Sequence, residues 1–175
     1  MFLIFFSLNL VAKDDSFIIS KGRVGKVKIG GSINSFYGVF EKHGPLTLSD
    51  KYLEATFTPV IKVYDLKKNL ALEANIIAEN GNFLLGSIEI FSPLFYTTKE
   101  VRVGSVYEQL LKKYKQVSLD HFHGKIYAVV KEERLSFTLD FPTEKWPRDM
   151  SFIKDKNLKS VIPSKTKIKS IIIIK

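Results

Sequence analysis

The chain reads as an α+β protein, a mainly antiparallel sheet carrying two helices. Three observations predict this. Apolar residues recur at helical spacing in only two places, Ile33 to Phe40 and Val106 to Tyr114. Alternating or continuous apolar runs of strand length fill most of the remainder. The order of these segments in the first half returns in the second, without the regular strand–helix alternation of a doubly wound parallel sheet.

With 175 residues the chain is long enough for one domain with a substantial core and too short for two large ones. It carries 27 Lys and Arg against 18 Asp and Glu, a net +9, and no Cys. Disulfides, thiol nucleophiles and Cys-ligated metals are therefore excluded. The charge is uneven: residues 145–175 hold nine basic and two acidic side chains, so seven of the nine net charges lie there and the body is close to neutral.

The first segment, Met1 to Ala12, is MFLIFFSLNLVA, a run too short to span a bilayer as a helix. It has the length of a signal-peptide apolar region with Ala12 as the small residue at its end, and export with a mature chain starting near Lys13 is expected. The competing reading is a first buried element of the domain. The domain itself is expected over 17–175, with half-repeats at about 17–96 and 97–175.

Val24 to Ile29 alternates at period two and ends in Gly30-Gly31-Ser32, a short strand feeding a helix whose N-cap is Ser32. Ile33, Phe36, Tyr37 and Phe40 then occupy one helical face until Gly44-Pro45 stops it. Val60 to Tyr64, Leu70 to Ile77 and Phe83 to Phe91 follow as strands. Leu66-Lys67-Lys68-Asn69 and Glu79-Asn80-Gly81-Asn82 are their hairpin turns. In the second half, Glu100 to Val103 leads into Gly104-Ser105 and a helix with Val106, Leu110 and Tyr114 on one face. The strands after it are Lys125 to Val130, Arg134 to Phe141 and Lys167 to Ile174. Ser32 and Ser105 are 73 positions apart, and an internal duplication of a β-α-β-β-β unit is expected. The last run ends wholly apolar and fits a central strand buried on both faces.

Chemical motifs are few. His121-Phe122-His123 is the one local cluster with ligand character: in an extended segment residues two apart share a face, so both imidazoles could meet a metal, with Asp120 or His43 as a third ligand. The pair is read in a loop before the Lys125 strand, so no metal or other cofactor is assigned. No GxSxG, phosphate-wrapping glycine motif or paired nucleophile and base is present, and no catalytic residue is assigned. Lys165, Lys167 and Lys169 could form an electrostatic stripe for nucleic acid or an anionic envelope surface. Arg occurs only at 23, 102, 134 and 148, however, and no nucleic-acid-reading element accompanies the lysines. The Pro142 to Ser164 insertion, with Trp146-Pro147-Arg148, is the unusual loop and a candidate contact region.

The layout over about 20–175, and most specifically Val101-Arg102-Val103-Gly104-Ser105-Val106-Tyr107-Glu108-Gln109-Leu110, resembles the envelope-stress-regulated lipoprotein family of Gram-negative bacteria. The resemblance implies a periplasm-facing α+β domain with no established activity, cofactor or catalytic residue. The family's lipobox cysteine has no counterpart after this leader, so a lipid anchor is not expected. The combined expectation is an exported, non-enzymatic binding module for an envelope protein or cell-surface component, with no transmembrane span. The alternatives are a small-ligand or metal-binding periplasmic protein using His121 and His123, and a cytoplasmic basic protein that binds nucleic acid.

Overall fold

The computed structural model describes residues 15–53, 56–142 and 162–175. The leader at 1–12 and most of the basic insertion, including Trp146-Pro147-Arg148, lie outside the described residues.

The protein is α+β, built on an eight-stranded antiparallel sheet. Two four-stranded meanders form it: β4 (Leu46–Leu53), β5 (Thr56–Tyr64), β6 (Leu70–Glu79) and β7 (Asn82–Ile90), then β9 (Ser118–Phe122), β10 (Lys125–Val130), β11 (Leu135–Leu139) and β12 (Ile168–Ile173). They join edge to edge through β7 and β12, in the order β4-β5-β6-β7-β12-β11-β10-β9. A small second sheet contains β1 (Ile18–Ser20), β2 (Arg23–Val24), β3 (Val27–Lys28) and β8 (Tyr96–Thr97), with β1 and β8 parallel. Helices α1 (Ile33–Phe40) and α2 (Tyr107–Lys113) precede the two meanders.

Strand alternation decides where the core sits. Leu46, Val63, Leu72, Ile90, Ile171, Phe137, Ala128 and Leu119 stand opposite one another in an unbroken row across all eight strands. Beside it runs Ile61, Ala74, Ile88, Ile173, Leu135 and Val130. Phe36 and Phe40 of α1, Tyr107 and Leu110 of α2, and Ile19, Val24 and Val27 of the small sheet complete the same apolar cluster. This is the inner face, and each large side chain buried there contributes roughly 1.5–3 kcal/mol. On the outer face the same strands present mostly polar residues.

The halves correspond in hydrogen bonding as well as in element order. Gly30 N donates to Leu85 O (2.7 Å) and Leu85 N to Gly31 O (3.0 Å). In the second half Gly104 N donates to Ile168 O and Ile168 N to Ser105 O, both 2.8 Å. Each helix entry is thus stitched to the last strand of its own meander. Each of those strands also has a bulge next to the stitch, where the register shifts between Asn75 and Ile76 on one side and between Thr138 and Leu139 on the other. The β7–β12 pairs, Ile90 with Ile171, Glu89 with Ile172 and Ile88 with Ile173, are symmetric about the middle pair.

Several expected elements are corrected. Val24 to Ile29 is not one strand but β2 and β3 joined by a turn at Gly25-Lys26. Gly25 has φ +54, and a Cβ there would lie 2.7 Å from Ser16 Cα. The strand expected at Glu100 to Val103 is displaced to β8: Glu100 has φ 61 in a tight turn, and Arg102 makes only an isolated bridge to Tyr96. Four strands, not three, follow each helix, because β4 and β9 are present. Ser32 caps α1 as expected, its side chain accepting from Ser35 N, whereas α2 is capped by Val106 and Ser105 Oγ accepts instead from Arg102 N. The bridges Ser32–Leu84 and Val106–Lys167 accordingly make Val106, not Ser105, the counterpart of Ser32, one residue past the offset read from Gly-Ser. The closing strand is central, as expected.

Candidate functional site

The residues nominated for metal binding are not brought together. His121 lies on β9, not in a loop, and pairs with Ile126 on the inner-face side. Asp120 pairs with Tyr127 on the outer side. His123 has left the strand with φ +47 in the β9–β10 turn, its ring 4.0 Å from that of Phe122. The extended geometry that would align two imidazoles two residues apart is therefore broken by the turn. His43 belongs to the α1–β4 connection in the other half, its ring 5.0 Å from Phe17 and 6.1 Å from Phe40. Among the described residues no group of three or more His, Cys, Asp and Glu is placed to hold a metal ion.

The lysine stripe is also altered. Lys165, Lys167 and Lys169 are all exposed, but β12 starts at Ile168 and Lys169 is the extra residue of the bulge, since Thr138 faces Ser170 while Leu139 faces Ile168. No helix among the described residues is long and apolar enough to cross a membrane.

What the fold does assemble is a polar network across the outer face, centred on the junction of the halves. Glu73 on β6 and Glu89 on β7 stand directly opposite each other, an arrangement that repels unless a cation intervenes. Lys51 supplies it from the edge strand β4: its Nζ donates to Glu73 Oε1 (2.5 Å) and lies 4.0 Å from Glu89 Oε2. The Glu73 side chain is only 7% exposed, so this ammonium is what makes its burial tolerable. Val60, on the same face of β5, is fully buried although it lies outside the main core. Across the seam, Ser170 Oγ donates to Glu89 Oε1 (2.7 Å) and lies 2.8 Å from the Thr138 hydroxyl. Asn75 Nδ2 donates to Ser87 Oγ (2.9 Å) at the position corresponding to Thr138 and Ser170. A hollow of about 190 Å³ opens beside Glu89, Thr138 and Ser170, with Lys125, Asp140 and Lys169 among its walls.

Tyr127 continues the network's row on β10. Burial, followed by the charges of Glu89 and Asp120, pushes its phenol above the usual value. On the inner side, burial pushes Tyr107 up to about 12 and raises Tyr114 as well. The Tyr107 hydroxyl has no partner among the described residues. An unfolded phenol ionises near pH 10, whereas these hold their protons to higher pH. Their contribution is therefore complete below about pH 10 and is lost as pH rises through the folded values. Urea midpoints are expected to fall between about pH 9.5 and about pH 11.5. Tyr107→Phe should flatten part of that fall and, by removing an unpartnered hydroxyl, stabilise the neutral protein by about 1 kcal/mol. Equal alkaline slopes in the two proteins would refute the assignment.

The architecture defines a class: α+β proteins in which two helices and a minor sheet cover one face of an open antiparallel sheet and leave the other polar. The chain is similar in fold to the crystal structure of the uncharacterized protein YfeY from Escherichia coli. The TM-score is 0.62, over 90% of this chain and 99% of that one, at 12% sequence identity. No protein-family model and no curated protein matches the chain.

Glu73, Glu89 and Lys51 were not foreseen from the sequence. The available signal is a single acid inside each of two consecutive apolar runs, Leu70-Ala71-Leu72-Glu73-Ala74 and Ser87-Ile88-Glu89-Ile90.

Proposed function

We propose that the chain is a non-enzymatic binding module of the bacterial cell envelope, and that the outer face of its large sheet receives a protein partner. The observation that carries this reading is the partly buried Lys51–Glu73–Glu89–Ser170 network, a preorganised set of charges on the face opposite the helices. Ordering these groups before binding lowers the cost of association. The short apolar leader supports export, and the envelope-family layout agrees with it. The twofold hydrogen-bond correspondence supports descent of the halves from one repeated unit.

In-cell photo-crosslinking tests the surface. A crosslinker at Thr47 or Lys62, both on the outer face, should give a discrete adduct, and one at the exposed Glu108 on α2 should not. Adducts from Glu108 alone, or from none of the three, would overturn the proposal. Export is tested by fractionation and N-terminal sequencing, where an intact Met1 in a cytoplasmic fraction counts against it.

A further inference from the structure

The large sheet has two open edges, and they are not alike. Among the described residues β4 pairs only with β5, and β9 only with β10. β9 is five residues long and its inner-face Leu119 is buried. β4 is eight residues long, and the cover that hides Ile61 and Val63 beside it leaves Leu48 and Tyr52 each 65% exposed on the same face. Phe57, opposite Tyr52 with its ring 5.1 Å away, is 73% exposed. An apolar margin therefore runs along the inner side of this edge. One exposed acid interrupts it, Asp50, which has no ion-pair partner among the described residues.

Hydrogen bonding fixes which backbone groups the edge offers. Tyr64 N donates to Pro45 O at 3.0 Å, so these two form a hydrogen-bonded pair of the β4–β5 ladder. Such pairs alternate with non-bonded ones along antiparallel strands. Thr47, Ser49 and Lys51 therefore bond to β5, while Leu46, Leu48, Asp50 and Tyr52 turn their N–H and C=O groups outward. Pro59 agrees with this phase: it has no N–H to give and stands opposite Asp50, where none is needed. The residues whose backbone is open are thus the same ones whose side chains form the apolar margin and its acid. On such an edge main-chain bonds supply affinity, and the side chains facing every second residue supply selectivity.

Asp50 decides what fits. A strand that covers both Leu48 and Tyr52 sets the residue midway between its two apolar contacts against Asp50. An acid there repels, and an apolar residue leaves the carboxylate covered and unpaired. A Lys or Arg pairs with it. The same geometry disfavours a second copy of this chain: setting Leu48 of each copy against Tyr52 of the other brings the two Asp50 carboxylates face to face.

We propose that the β4 edge binds an extended segment of a partner protein in which a Lys or Arg is flanked, two residues away on each side, by apolar side chains. The segment lies antiparallel to β4, its basic side chain paired with Asp50 and its apolar ones covering Leu48 and Tyr52. This edge is separate from the outer-face network, and either reading can fail alone.

The test is titration of the full chain with the capped heptapeptide Thr-Val-Thr-Arg-Thr-Val-Thr, followed by amide NMR. Saturable binding at or below about 1 mM is expected, with shifts centred on residues 46–53. Hydrogen exchange gives the sharper readout. Near saturation the amides of Leu48, Asp50 and Tyr52 should slow at least about fivefold, while those of Ser49 and Lys51, already bonded to β5, change little. The peptide with Glu in place of Arg should bind about tenfold more weakly. Asp50→Lys alters an exposed position and should invert that preference with the melting temperature nearly unchanged. No saturable binding, equal binding of the Glu peptide, an unchanged preference in Asp50→Lys, or protection that does not alternate would overturn the proposal. Self-association of the chain, read by sedimentation and competed by the peptide, would assign the edge to a second copy and overturn it too.

Discussion

Gly44→Ala is expected to destabilise the protein by about 3 kcal/mol, the cost of forcing a methyl into closed space. The chain leaves α1 and turns into β4 through Gly44-Pro45, passing directly against the end of β5, where Tyr64 N donates to Pro45 O (3.0 Å). A Cβ at position 44 would overlap the Tyr64 carbonyl oxygen. That atom belongs to the backbone of the sheet, so no side-chain rotation can make room. Gly30→Ala tests the same residue type where nothing approaches within 4 Å and only the left-handed φ of +79 resists. It should cost less, about 1 kcal/mol. Urea denaturation of the two variants measures the difference, and a Gly44→Ala protein as stable as Gly30→Ala would show that the turn can move.

Lys51→Ala is expected to cost about 2 kcal/mol, most of it through what it leaves behind. Removing one partner of a buried ion pair can cost about 3–5 kcal/mol, and the 35% exposure of Lys51 discounts that figure. Without the ammonium, Glu73 and Glu89 face each other uncompensated on neighbouring strands. Glu73→Gln in the Lys51→Ala background removes one of the two like charges and should recover at least half of the loss. A double-mutant cycle read by urea denaturation checks this, and strict additivity of the two substitutions would refute the coupling.

The helices and central strands were legible in the sequence because their signals are local. Ile33, Phe36, Tyr37 and Phe40 mark α1 by spacing, and Asn80-Gly81, both at positive φ, fold into the tight turn such a dipeptide predicts. The edge strands were not, because β4 has Asp50 in line with Leu46, Leu48 and Tyr52, and β9 is five residues that include Asp120 and His121. Charges of this kind blunt an exposed edge, and in doing so they erase the alternation that would reveal the strand.

The candidate site was hidden for a different reason. Counting back from the Asn80-Gly81 turn sets Glu73 against Ile88, not Glu89. The bulge shifts the register by one, so that Asn75 faces Ser87 while Ile76 faces Leu85, and this brings the two carboxylates opposite each other. Gly86, skipped in that pairing, would bring a Cβ within 2.6 Å of Ile77 Cγ2. No local pattern announces a bulge; it follows from the packing of the whole sheet.

The position of β12 bears on the order in which the protein can be completed. It comes last in chain order among the described strands and yet sits between β7 and β11, at the centre of the sheet. Until it emerges from the ribosome, the first meander presents β7 as an open edge, and β11 has its inner side unpaired as well. Until β12 is in place, the sheet is therefore two separate meanders, each with an unpaired strand edge of the kind that makes a folding intermediate prone to misassembly.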